Sequence, residues 1–154
     1  MDTQKWSLLP PVTSVPAGYL NLQPAGASSV LYQEHLNHLP SLTTSVPASD
    51  ARTQWVLIRA ESLVPGALAE SNLYLIRNRH TGGYLWLRRE EGKAPFVCAW
   101  HSELNDSQWR LEKTMTEDWR IVESESNLGL KTNGTGAKKG DVWQLVKVRD
   151  QVCR

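Results

Sequence analysis

Three segments of this chain carry a tryptophan followed two residues later by a leucine: Gln54-Trp55-Val56-Leu57, Gln108-Trp109-Arg110-Leu111 and Val142-Trp143-Gln144-Leu145. Upstream of each lies a piece with two leucines one residue apart, in GYLNL at 18–22, GYLWL at 83–87 and NLGLK at 127–131. Further upstream an aromatic residue opens another alternating run, at Trp6, Tyr74 and Trp119. Each copy thus reads as aromatic strand, turn, Leu-x-Leu strand, variable segment and Trp-x-Leu strand. A unit of about four short strands cannot bury its apolar face alone, so three copies must close on one another. The expected architecture is a pseudo-threefold barrel of about twelve short strands, with the recurring tryptophans and leucines as its core. The openings at 6, 74 and 119 are unevenly spaced. The unevenness falls in loops, where extra residues cost little closure entropy.

The rest of the chain agrees with an all-β class. Runs such as QWVLIR, LYLIRN, PFVCAW and DWRIVE alternate and are rich in β-branched and aromatic residues, and Gly, Pro, Asn or Ser breaks them. No window of a dozen residues keeps a helical period without a breaker. With 154 residues, 40% of them apolar, a single domain is expected, its repeats covering approximately 1–60, 61–115 and 116–154. A formal net charge of +1 provides no broad basic surface for nucleic acid or an anionic membrane. The opening MDTQKWSLLPPV has no basic stretch leading into an apolar run, and no transmembrane-length apolar segment follows. The chain is therefore expected to be cytoplasmic, or released without a classical signal peptide. Cys98 and Cys153 make no disulfide framework.

The segments YLIRNRHTGGYLWL, FVCAW and DSQWRLEK resemble one repeat of the ricin-B-type β-trefoil lectins, whose repeats end in Gln-x-Trp, and the resemblance extends over all three copies. In this chain Gln directly precedes Trp in two copies, and Val142 stands there in the third. Within that family the chain resembles especially the small cytoplasmic lectins of fungi. The resemblance implies a β-trefoil that binds glycans or glycoproteins, galactose-type sugars among them, without catalysis or cofactor. In that family an Asp after the second strand's Leu, an aromatic residue ending the third strand and an Asn before the closing motif hold the sugar. The pyranose stacks on the ring while polar groups satisfy its hydroxyls. Carried onto the second repeat, this gives Trp100 as the stacking residue and Trp86 at the Asp position. His101, Asn105 and Asp106 are the expected hydrogen-bonding groups of this one main site. In the first repeat Asn21 takes the Asp position, but SLTTSV supplies no aromatic residue. In the third, Lys131 takes it, and NGTGAKKGD is too short for a full pocket. Weak binding per site would favour multivalency, for example through a homodimer.

Other readings stand beside this one. Trp86 and Trp100 would serve equally as packing residues. A β-trefoil protease inhibitor would instead present a surface loop, at 23–40 or 60–71, stiffened by Pro24, Pro40 and Pro65. A third possibility is a scaffold that binds another protein through exposed aromatic residues. His35 and His38 have ligand-like spacing but lack a completing cluster, and read as a solvated loop. Gly134, Gly136 and Gly140 lack the Gly-Lys-Ser/Thr ending of a phosphate loop. The sequons beginning at Asn105 and Asn133 require a secretory route to be modified. Cys98 alternates within a strand and reads as a small core residue. No nucleophile, base and acid arrangement stands out, so no enzymatic activity is expected.

Overall fold

A computed structural model describes residues 15–60, 72–92, 95–100, 107–131, 136–137 and 141–149, with the backbone alone at 100, 136 and 137. Six strands form its wall: β1 (Tyr19–Pro24), β4 (Gln54–Arg59), β5 (Leu73–Asn78), β8 (Trp109–Lys113), β9 (Trp119–Glu123) and β12 (Val142–Lys147). Their antiparallel pairings run β1–β4, β4–β5, β5–β8, β8–β9, β9–β12 and back from β12 to β1. The ring closes, so no wall strand is left with an unpaired edge. The other six strands make three hairpins: β2 (Val30–Tyr32) with β3 (Ser41–Thr43), β6 (Tyr84–Arg88) with β7 (Phe96–Trp100), and β10 (Gly129–Leu130) with β11 (Gly136–Ala137). A six-stranded barrel carrying three hairpins, one from each four-strand copy, is a β-trefoil, as the repeats predict.

The threefold logic is visible in single hydrogen bonds. Trp55, Trp109 and Trp143 are completely buried, and each indole Nε1–H donates to the carbonyl of one hairpin leucine: Leu31 at 3.0 Å, Leu85 at 3.1 Å and Leu130 at 3.1 Å. A buried indole is thereby satisfied, and each hairpin is tied to its own closing strand. Leu22, Ile76 and Ile121, all fully buried, fill the middle of the same core. The residue before each tryptophan shares a backbone role, to which the buried Gln54 side chain adds bonds with Arg79 and Ala48. The carbonyls of Gln54, Gln108 and Val142 accept the amides of Arg79, Ser124 and Ala25 at 2.8, 2.8 and 2.9 Å, each across to the next copy. Any side chain leaves that carbonyl available, which is why Val142 can stand where the other copies carry Gln.

Register corrects the reading of the first repeat. Trp55 pairs with Leu20 as Trp109 pairs with Tyr74 and Trp143 with Trp119. The opening strand of the first copy is therefore GYLNLQ, whereas Trp6 lies outside the described residues. Asn21 consequently belongs to the barrel wall, 4% exposed, its amide donating to the carbonyls of Ala48 and Thr53 at 3.1 and 3.0 Å. The residue that follows the hairpin leucine is Tyr32 in the first copy, Trp86 in the second and Lys131 in the third. Where one copy hands over to the next, a cation caps an aromatic ring: Arg59 lies 5.8 Å from the Tyr74 ring centre and Lys113 lies 5.5 Å from that of Trp119. The third handover pairs Lys147 with Leu20, which has no ring.

Candidate functional site

The hairpin β6–β7 has two chemically different faces because side chains alternate along a strand. Leu85, Leu87, Val97 and Ala99 are buried toward the core. On the other face the register sets Trp86 opposite Cys98 and Arg88 opposite Phe96. Trp86, Phe96 and Cys98 are half-buried there, and Arg88 is exposed. The Arg88 guanidinium lies 5.5 Å from the Trp86 ring centre, within cation–π range, and its Nε donates to Glu90 Oε1 at 2.9 Å.

The facing wall comes from the first repeat, from the connection between β2 and β3. Fully buried Gln33 holds that connection from behind: its Nε2 donates to the carbonyls of Leu36 and His38 at 3.2 and 2.7 Å. Its Oε1 accepts the Thr81 hydroxyl at 2.6 Å, fastening the first repeat to the turn before β6. Gly82 in that turn has φ +73°, and a Cβ added at Gly83 would lie 2.6 Å from Leu36 Cδ1. The Gly-Gly pair thus serves two needs, a left-handed turn and the close seating of Leu36.

Between these walls lies a groove of about 240 Å³, lined by Leu36, Asn37, His38 and Leu39 on one side and by Trp86, Arg88, Phe96, Cys98 and Ala99 on the other. Apolar surface predominates, and the polar side chains among the described lining residues are an Arg, a His and an Asn. Burial pushes the Cys98 thiol above its ordinary range, with Arg88 acting weakly in the opposite direction. The groove as described has rings for stacking and donors for hydrogen bonding. Among the described residues no group of three or more His, Cys, Asp or Glu is gathered for a metal ion.

Of the residues expected from sequence, Trp86 lines this groove. The backbone places Trp100 at the end of β7, opposite Tyr84. His101, Asn105 and Asp106 lie outside the described residues, as does 61–71 of the loop at 60–71. Cys98 is not the core residue expected; it sits on the outer ladder, half-buried against Trp86. His35 and His38 are exposed in the connecting loop, ring centres 4.9 Å apart and edge to face. Arg88 and Phe96 are not among the residues expected from sequence; the alternation of YLWLR against PFVCAW is the signal that places them on the face of Trp86. The Leu36–Leu39 wall carries no local signal, since only tertiary packing brings it to β6.

No family model and no curated protein matches the chain. Solved structures do. A β-trefoil named BEL is 17% identical with a TM-score of 0.69, over 88% of this chain and 98% of that one. The protein SeviL, bound to asialo-GM1 saccharide, is 15% identical with a TM-score of 0.65, over 87% of this chain and all of that one. A mosquitocidal holotoxin is 13% identical with a TM-score of 0.67 over 90% of this chain, which spans only 18% of the toxin's length. At these identities the likeness concerns the fold, which is the β-trefoil that the closed ring and three hairpins define.

Proposed function

We propose that the protein binds glycans, and that the groove on β6–β7 is its main site. The observation that carries this reading is the placement of Trp86 and Phe96, both half-buried, beside Arg88 in a shallow groove. A pyranose presents an apolar face to a ring and hydroxyls at its rim, and this surface offers a counterpart for each. At about 240 Å³ the groove is smaller than a drug-sized pocket, typically about 300–1,000 Å³, and suits a terminal sugar better than an extended chain. The fold supports the reading too, because SeviL, with the same fold, holds a saccharide. On this proposal Trp100, His101, Asn105 and Asp106 continue the site beyond β7, and binding is to glycans or glycoproteins. A glycan array probed with wild-type and Trp86→Ala protein tests it. Binding that disappears in the variant while the far-ultraviolet spectrum is unchanged is the expected result; an array without a single hit overturns the reading.

One observation favours the inhibitor reading. Leu39 is 57% exposed on a loop that Gln33 braces from behind, which is how an inhibitor presents a residue to a protease. A panel of trypsin-like and papain-like proteases decides it: stoichiometric inhibition lost in Leu39→Asp, with no glycan hit, would replace the first proposal.

A further inference from the structure

Resting on the glycan reading, we infer that the saccharide this groove takes is acidic, with a carboxylate or sulfate group held by Arg88 against the face of Trp86. Charge complementarity points that way. Among the described residues, the polar side chains lining the groove are Asn37, His38 and Arg88, with no Asp or Glu beside them. Arg carries five N–H donors and no acceptor, whereas neutral-sugar hydroxyls need acceptors such as carboxylates to receive their protons. Asn37 and His38 can accept from hydroxyls, whereas Arg88, the charged group among the described lining residues, offers donors alone and is matched best by an anionic acceptor.

Arg88 is also held in position. Its guanidinium stands over Trp86 at 5.5 Å, and its Nε is fixed by Glu90 at 2.9 Å, while 47% of the side chain remains exposed. Trp86 and Arg88 are two residues apart on one strand, so the pleat keeps them on the same face. A planar fork fixed at one edge loses less conformational entropy when its other nitrogens engage an anion in bidentate fashion. Glu90 has two effects in this arrangement. It orients Arg88, and its negative charge competes with the incoming anion.

Replacing Glu90 by Gln leaves an amide oxygen to accept from Arg88 Nε and removes only the competing charge, so the two variants have opposite expected signs. Lactose, sialyllactose and sulfated lactose are titrated by calorimetry into the full-length protein, its Arg88→Gln variant and its Glu90→Gln variant. Wild-type protein is expected to bind at least one of the acidic sugars about tenfold or more tightly than lactose, the size of a charge-assisted hydrogen bond. Arg88→Gln should bring the three ligands to within about threefold of one another, and Glu90→Gln should tighten acidic sugars alone. Equal binding of all three sugars, with no selective effect of Arg88→Gln, overturns the inference and leaves the glycan reading standing. Absence of binding by any saccharide overturns both.

Discussion

The contact between Leu36 and Gly83 fastens the two walls of the groove, and Gly83→Ala tests it directly. The added Cβ would meet Leu36 Cδ1 at 2.6 Å, Ala99 Cβ at 3.0 Å and Thr81 Oγ1 at 3.3 Å, where carbon atoms prefer about 3.5–4.0 Å. Ala99 cannot yield, because it is paired to Leu85 in the β6–β7 ladder. Leu36 therefore has to retreat by about 1 Å, and the wall from Leu36 to Leu39 moves with it. Gly83 does not have a positive φ, so alanine gains roughly 0.4–1 kcal/mol from the stiffer unfolded chain. Overpacking costs about 1–3 kcal/mol, and it should win by about 1 kcal/mol. In a protein of this size that lowers Tm by about 2–4 °C. The sharper readout is a double-mutant cycle in urea with Leu36→Ala, which removes the clashing methyl. The two substitutions together should cost less than the sum of their separate effects by about 1 kcal/mol. Additivity within about 0.3 kcal/mol, or a Gly83→Ala protein as stable as wild type, would refute the packing argument.

Further outcomes follow from the core, the first repeat and the groove thiol. Replacing Trp55, Trp109 or Trp143 by Phe removes the donor to Leu31, Leu85 or Leu130, and each change should cost about 1–3 kcal/mol for the stranded carbonyl alone. A cost below about 0.5 kcal/mol at any one site, measured by urea unfolding, would break the threefold equivalence. The side chain and amide of Arg52 hold the Asp50 carboxyl at a pKa of about 2, below its ordinary value. The stability from that ionised carboxylate is complete above the unfolded-state pKa near 4 and is lost as pH falls toward about 2. The stability gap between wild type and Asp50→Asn should therefore shrink across that window, and a gap that widens on acidification contradicts the assignment. Cys98, raised by burial, should alkylate slowly at neutral pH and faster as pH rises, and bound saccharide should protect it. Peptide-resolved mass spectrometry showing no protection at saturation would remove the ligand from the groove.

The barrel was legible because its determinants are repeated. Each closing tryptophan recurs with its leucine, and a feature present in three copies stands out against local noise. The first copy was misaligned for a physical reason. GYLNL and GYLWL have the same period of two and the same leucines, yet one lines the barrel and the other caps it. What separates them is the pairing partner, β12 for the first and β7 for the second. A buried asparagine in the wall was equally unexpected, and it is tolerated because Thr53 and Ala48 satisfy its amide. At the groove, Trp86 drew notice because no other copy has tryptophan at that position. Its neighbours across the gap were illegible, because the bond from Thr81 to Gln33 that brings them there joins residues 48 positions apart.

The claim that Trp86 and its groove form the saccharide site is tested most directly by the indole signals. The seven tryptophans give seven indole cross-peaks in a proton–nitrogen correlation spectrum, assignable by single substitutions. On titration with sialyllactose the Trp86 peak should move progressively, while those of Trp55, Trp109 and Trp143, held in the core by leucine carbonyls, should stay in place. A saccharide that binds to saturation without moving the Trp86 peak would contradict the account.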